Sequence, residues 1–348
     1  MSNKIPVSVV TGFLGSGKTT LLNRMLSPEH ADPAVARRTA LLINEAGAVG
    51  IDHERVRHLS DNVMVLESGC LCCSVRGELV DALRELFLDA LHKRVPPFSR
   101  VLIETSGLAD PAAVMHTLKF DGFLRDRYTY AGCITVVDCI HGMQHLDVYP
   151  QAVRQVVEAD AIVFSKRDLV AGQDVERLEG AVAALNAQDR VFDGRAMPQL
   201  DPLLAAATVG QNIKRGASGF LGRAMRREAG NEGGRFAHGS VRVLTVSIKQ
   251  ALSQAAFSRV MGRVHQLADI DLLRLKGLLH LQGQSGLTAV HGVHRQLYPL
   301  EHLPGLVSHA AGTGSLLVFI VGGREAGQFE VLLHTILKEE GIHSSEAL

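Results

Sequence analysis

No sign of charge predominates in this 348-residue chain, where 36 lysines and arginines face 36 aspartates and glutamates. Without a net field, neither nucleic acid nor an acidic membrane surface is an expected partner. Long apolar runs are missing too. The longest, such as residues 315–321, fall far short of the roughly 20 residues that cross a bilayer. The N-terminal apolar stretch leads straight into a glycine-rich loop, so no signal peptide is expected. Cysteine is scarce: there are five, an odd number, and three crowd between Cys70 and Cys73. That pattern argues against a disulfide framework and suits a reducing compartment where thiolates act as ligands or nucleophiles. Internal repeats and low-complexity tracts are absent. The expectation is a cytoplasmic protein long enough for two domains, each burying its own core.

The stretch around which the rest is organised is Gly12-Phe13-Leu14-Gly15-Ser16-Gly17-Lys18-Thr19. It fits G-x-x-x-x-G-K-[ST], the phosphate-binding P-loop. Residues 5–10 read as a buried strand before it, and residues 20–26, from Thr20 on, carry helical apolar spacing behind it. Glycines let backbone N–H groups turn inward, and the helix N-terminus adds partial positive charge where phosphate sits. Lys18 is expected to reach the β- and γ-phosphates and the Thr19 hydroxyl to ligate Mg²⁺. Together these predict a nucleoside triphosphate site.

Downstream, residues 39–44 read as a second strand ending in a Gly-rich segment, 44–52, with the character of a switch loop. A short strand at 62–66 leads through Glu67-Ser68-Gly69 to the cysteines, and helical spacing runs over 75–91. Further buried strands are expected at 100–103, near 133–137 and at 161–164. Strands alternating with helices argue a parallel sheet covered on both faces, with ligands at the carboxyl ends of its strands. The fold class is therefore α/β: a P-loop domain over residues 1–205 with a mainly parallel sheet. A Gly- and Arg-rich linker over 206–238 and a smaller α+β domain over 239–348 follow. The latter is expected to hold an antiparallel sheet with helices on one face.

Two further motifs lie at predicted strand ends. In Glu104-Thr105-Ser106-Gly107 the carboxylate can hold Mg²⁺ through water while the Gly107 N–H senses the γ-phosphate. Ser165-Lys166-Arg167-Asp168 fits [NST]-K-x-D. Its Asp168 carboxylate can accept both the N1–H and the N2–H₂ of guanine, with the Lys166 stem on the base plane. GTP is favoured over ATP on that ground. In Gly69-Cys70-Leu71-Cys72-Cys73, three thiols in four residues can surround one soft ion. Zn²⁺ suits such thiolates; Cu(I), nickel and cobalt are alternatives, as are a redox pair or simple packing. Glu45 and His53 are candidates to complete the ligand set. His291 and His294 fall three apart on a predicted strand, hence on opposite faces, and read as structural or interface histidines. Cys133 and Cys139 read as core residues, and Asp138 as a cap at a strand end near the nucleotide.

Taken together, G-F-L-G-S-G-K-T-T, the N-E-x-G segment at Asn44, G-C-L-C-C-S-V-R-G at Gly69, E-T-S-G-L-A-D-P at Glu104 and S-K-R-D at Ser165 resemble the CobW-like GTPases. These are metallochaperones related to the hydrogenase and urease maturation GTPases. The resemblance covers the whole chain, since Leu273-Arg274-Leu275-Lys276-Gly277 and the closing strand and helix look like the family's C-terminal domain. It implies GTP hydrolysis to GDP coupled to delivery of a metal, most often zinc, to a client metalloprotein. Cys70, Cys72 and Cys73 would be the metal thiolates. Lys18, Thr19, Glu104, Lys166 and Asp168 would form the GTP site. Two departures stand out: Ala48 replaces a carboxylate common in relatives, and their His-rich tract is missing. No glutamine follows Gly107, so hydrolysis is expected to be slow until metal, client or a second copy in a homodimer accelerates it. The alternative is a regulatory or cofactor-assembly GTPase whose thiols sense redox state or merely pack.

Overall fold

The computed structural model describes residues 4–27, 30, 32–46, 63–68, 75–186, 191–194, 203–204, 235–238, 241–293, 296–297, 299–303 and 314–345. Contacts divide the chain into two compact units, residues 1–179 with 190–211 and residues 180–189 with 212–348.

The first unit opens with β1 (Ile5–Thr11), α1 (Lys18–Leu26), α2 (Pro33–Arg37), β2 (Thr39–Ala46), β3 (Val63–Ser68) and α3 (Val75–Leu91). Then come β4 (Arg100–Glu104), α4 (Ala112–Phe120), α5 (Gly122–Arg127), β5 (Tyr128–Asp138), α6 (Gly142–Val148) and α7 (Pro150–Glu158). After β6 (Ala161–Ser165) a 3₁₀ turn, Arg167–Leu169, precedes α8 (Gly172–Leu185), whose residues from Gly180 on are assigned to the second unit, and then β7 (Val191–Asp193). The strands form one sheet in the order β3-β2-β4-β1-β5-β6-β7, every neighbouring pair parallel. Successive residues of a strand face opposite sides. Val9 packs with Leu79, Leu83 and Leu118, and Val10 with Leu21, Leu22 and Met25. Both faces are therefore covered, the condition under which parallel sheets are stable. Each of those aliphatic side chains contributes roughly 2 kcal/mol by leaving water. Local chemistry sets the helix starts. Asp32 caps α2 through the Ala34 N–H at 2.8 Å, Asp121 caps α5 through Leu124 N–H at 2.9 Å, and Pro150 opens α7.

One consequence of the order positions the site. Because every strand runs the same way, the carboxyl ends of β1, β4, β5 and β6 share one edge, and the loops leaving them meet there.

The second unit contains β8 (Arg235–His238), β9 (Val241–Ile248), α9 (Gln254–Gln266), β10 (Asp271–Leu279), β11 (Leu287–Val293), β12 (Gln296–Leu297) and β13 (Glu301–Leu303). It closes with β14 (Ser315–Gly322), a 3₁₀ turn (Ala326–Gln328), α10 (Phe329–Glu339) and β15 (Ser344–Ser345). Its sheet is antiparallel, with the path β12-β11-β10-β14-β9-β15, β13 on β11 and β8 on β9. Phe257, Val260, Met261 and Val264 of α9 and Phe329, Leu333, Ile336 and Leu337 of α10 pack with Leu275, Leu279, Leu317 and Phe319. Arg235–His238 corrects the expected linker over 206–238. This stretch pairs with β9 from Arg235↔Leu244 to His238↔Val241. Backbone pairing, which needs no apolar side chains, makes a strand of it.

His291 sits in β11 opposite Lys276, 6% exposed, with Nε2 3.4 Å from an Arg274 guanidinium nitrogen. Burial, then the charges of Arg274 and Lys276, hold it well below the usual histidine range, so it is neutral. It is a core histidine. His294 lies outside the described residues.

Candidate functional site

The P-loop follows β1 directly. Gly12 has φ +145° and lies so close to β5 that a Cβ there would meet the Val136 carbonyl oxygen at 2.4 Å. Ser16 N–H donates to Phe13 O at 3.1 Å, and Gly17, at φ 92°, turns the chain into α1. Gly15 has φ 72°, and Thr20 is exposed in the first turn of α1. Lys18 is 8% exposed, its Nζ folded back to donate to Gly12 O at 3.0 Å and Phe13 O at 3.3 Å. An ammonium group thus stands over the loop whose backbone would surround a phosphate.

Next to β1, β4 delivers Glu104. Its Oε1 accepts from Thr19 Oγ1 at 2.8 Å, and the carboxylate is 5% exposed. A hydroxyl and a carboxylate in contact are the hard oxygens that Mg²⁺ favours. The chain continues with Thr105 N–H donating to Val10 O at 3.0 Å and its hydroxyl to Thr11 Oγ1 at 2.8 Å. Gly107 then passes against the P-loop, where a Cβ would stand 2.6 Å from Leu14 N. Only glycine allows that approach.

On the other side of β1, β5 ends in Asp138 and β6 in Ser165. Ser165 Oγ donates to Ser16 O at 2.7 Å. Lys166 adopts the left-handed conformation, φ 57°, and its Nζ donates to Gly15 O at 2.8 Å and Asp138 Oδ2 at 2.9 Å. Asp138 also accepts from Ile140 N–H at 2.8 Å and lies 3.2 Å from His141 Nδ1. Burial pushes the Asp138 carboxyl up. The hydrogen bonds from Lys166, Ile140 and His141, with the Lys166 charge, outweigh that and hold it below the usual value. Asp168 is exposed on the 3₁₀ turn after β6, none of whose three residues is buried. A carboxylate there is available to a ligand from solvent.

Sequence reasoning read Asp138 as a cap and missed its bond to Lys166. The strand-end position was the only available signal. It missed Gln155 altogether. That residue, in α7, donates from Nε2 to Gly107 O at 3.0 Å and Ala109 O at 3.1 Å. His145, also unforeseen, lies with its ring 4.6 Å from that of Phe13. Burial is the main force holding His145 below the usual histidine range; Asp138 opposes it, and His141 and Lys166 reinforce it. Cys133 and Cys139 are buried thiols, and burial pushes Cys139 up to about 11, so it is protonated near neutral pH.

Glu45 belongs to the carboxyl end of β2, paired with Glu67 of β3, while Ile43 pairs with Glu104 of β4. Cys70, Cys72, Cys73 and His53 lie outside the described residues, as does Ala48. Among the described residues no cluster of His, Cys, Asp or Glu has the arrangement of a metal site, and no helix is long and apolar enough to cross a membrane.

Residues 6–193 match the CobW/HypB/UreG nucleotide-binding domain. Residues 241–337 match the cobalamin synthesis protein CobW C-terminal domain. The zinc chaperone YjiA of Escherichia coli is 30% identical over 298 residues, 84% of this chain and 87% of that protein. The zinc chaperone CobW of Pseudomonas aeruginosa is 41% identical over 144 residues, 39% of this chain and 36% of that one. The crystal structure of Zn(II)-bound YjiA GTPase from E. coli is similar in fold, with TM-score 0.65 at 23% identity over 97% of this chain and 98% of that one. With both domains matched in order, the chain belongs to the CobW/HypB/UreG family of P-loop GTPases.

Proposed function

We propose that this GTPase is a GTP-dependent metallochaperone that carries zinc at Cys70, Cys72 and Cys73 and hands it to a client metalloprotein in the cytoplasm. The register of the sheet's β3 edge carries the reading. Glu104 in β4 stands beside Ile43 of β2, and two residues on, Glu45 stands beside Glu67 of β3. Ser68, the last residue of β3, is then one residue from the cysteine segment. The Mg²⁺ carboxylate and the entry to the thiols are thus two strand spacings apart across the sheet and three residues apart along it, roughly 14 Å in all. A γ-phosphate that orders the end of β2 would bias the neighbouring β3 end by direct hydrogen bonding. The naming of relatives as zinc chaperones supports zinc as the cargo.

Each part of the nucleotide site has its own work. Gly12, Gly15, Ser16, Gly17, Lys18, Thr19 and Thr20 surround the phosphates, with Lys18 neutralising the β and γ groups. Thr19 and Glu104 would hold Mg²⁺, which when bound would offset negative charge developing on the phosphates. Gly107 senses the γ-phosphate. Ser165, Lys166 and Asp168 read guanine, Asp168 by accepting from two donors that adenine lacks. Glu45 is an added candidate for the zinc ligand set, with cobalt or nickel as lesser cargoes and a homodimer as one assembly in which transfer occurs.

The test is a zinc titration against a chelator of known affinity, with GTP analogue, with GDP and without nucleotide. A nucleotide coupling of about 2.7 kcal/mol changes zinc affinity about a hundredfold, and linkage requires zinc to change the GTP-to-GDP preference by the same factor. Serine at positions 70, 72 and 73 should abolish zinc binding and spare nucleotide. Equal zinc affinity in all three states would refute the coupling: the thiols would bind zinc without being driven by the nucleotide, and the chaperone reading would fail.

A further inference from the structure

A helix outside every sequence motif touches both phosphate loops. Tyr149, at the start of α7, stacks its ring on Phe13 of the P-loop with centroids 4.6 Å apart. Further along, Gln155 is 1% exposed, and its amide donates to the carbonyls of Gly107 and Ala109. Its own backbone carbonyl accepts from Thr135 Oγ1 of β5 at 2.7 Å, which fixes the helix to the sheet. The adjacent Arg154 faces Asp110 at 3.6 Å. Gln155 also lines a cavity of about 20 Å³ shared with Phe13, Ser16 and Asp138. Its Oε1 and Ser16 Oγ have no hydrogen-bond partner among the described residues.

We propose that Gln155 is a positioning residue for γ-phosphate recognition, holding the turn at 107–109 in the form that separates GTP from GDP. The inference rests on the GTP reading of the P-loop and Gly107. Thr105 N–H on Val10 O and Ala109 N–H on Ser106 O hold the chain on either side of Gly107, but glycine has the widest backbone freedom of any residue, so its approach to Leu14 N needs a further constraint. Both N–H groups of one buried amide impose it. In a trans peptide the N–H points opposite to the carbonyl, so pinning Gly107 O aims the Leu108 N–H away from Gln155. Pinning Ala109 O fixes the Asp110 N–H in the same way. The GDP state has no γ-phosphate for this turn to meet. Loss of the clamp should therefore act on GTP and spare GDP.

The experiment measures affinity for a non-hydrolysable GTP analogue and for GDP in the full chain, with steady-state hydrolysis alongside. Gln155→Met keeps the length and removes both donors. Analogue affinity should fall about tenfold, the scale of two lost hydrogen bonds, while GDP affinity stays within about twofold and kcat falls. Gln155→Asn, which withdraws the amide by one methylene, should move the ratio the same way. Val153→Ala in the same helix, buried at 4% exposure, should lower the melting temperature without changing the ratio. A parallel loss of both nucleotides, or an unchanged ratio in both Gln155 variants, would overturn the proposal. If the parent binds and hydrolyses GTP normally, that failure is confined to Gln155. A parent that does not bind guanine nucleotides overturns the GTP reading as well.

Discussion

The polar side chains that meet at the site and those buried in the second sheet stand at different places along their strands. In the parallel sheet, Thr11, Glu104, Asp138 and Ser165 each stand last in their strands, and hydrogen bonds join them to one another's loops. In the antiparallel sheet the buried Arg274, His291, Thr245 and Thr288 lie within strands, paired across the sheet or packed on its face. Parallel strands bring their carboxyl ends and the following loops to one edge, so polar side chains converge there. Antiparallel strands alternate direction and scatter their ends. A site that assembles several loops around one ligand follows from the first arrangement, and the second supplies a core.

The strongest test of that contrast removes the charge over the phosphate loop. Lys18→Ala should lower GTP affinity about a thousandfold, ~4 kcal/mol, with melting temperature nearly unchanged, since no core volume is lost. Equal affinity in calorimetry would break the assignment of the edge. In the other sheet, Leu275→Ala should act in the opposite sense. Leu275 is fully buried between α9, α10 and β10's neighbours, so the cost is about 3 kcal/mol of stability, while GTP affinity stays at the parent value. A fall in affinity equal to that of Lys18→Ala would erase the distinction.

Asp138→Asn sharpens it further. The folded carboxyl lies below its unfolded value, so its contribution is present above about pH 4 and is lost as pH falls through the folded value. Breaking its pair with Lys166 should cost about 2 kcal/mol near pH 7, and the gap between variant and parent should close on acidification below about pH 4. Denaturant melts at several pH values measure this, and a pH-independent gap would show that the charge is not what matters. The smallest effect is expected from Arg259→Ala. Its bond to Glu340 at 2.7 Å joins an exposed guanidinium to the C-terminal end of α10, and such a pair is worth about 0.5 kcal/mol. A chemical melt should barely shift, and a loss above about 1.5 kcal/mol would mean that a surface pair is acting like a buried one.

Residues near one another in sequence were the legible ones. The P-loop was readable because its glycines, Lys18 and Thr19 fall within eight positions, between a β-type and a helix-type apolar period. The strand ends at Glu104 and Ser165 were readable because a buried run stops at a polar motif. Gln155 was not, since its partners lie 48 and 46 positions away and a glutamine inside an amphipathic helix has no distinguishing pattern. Lys166 was expected along a base plane; in the fold its Nζ ties Gly15 to Asp138, a role that depends on three strand ends meeting. The strand Arg235–His238 was hidden in a stretch of linker composition because its order comes from β9's backbone.

Sequence by itself determined the α/β class, the phosphate loop, and the two motifs at the strand ends Glu104 and Ser165, because each depends on local periodicity or on backbone freedom at glycine. Tertiary structure alone decided which carboxylate meets which hydroxyl or ammonium: Glu104 with Thr19, Asp138 with Lys166, and Gln155 over Gly107. Those pairings are set by strand order and register. Order and register arise from the packing of two apolar faces across the whole sheet, and no short window of sequence contains that information.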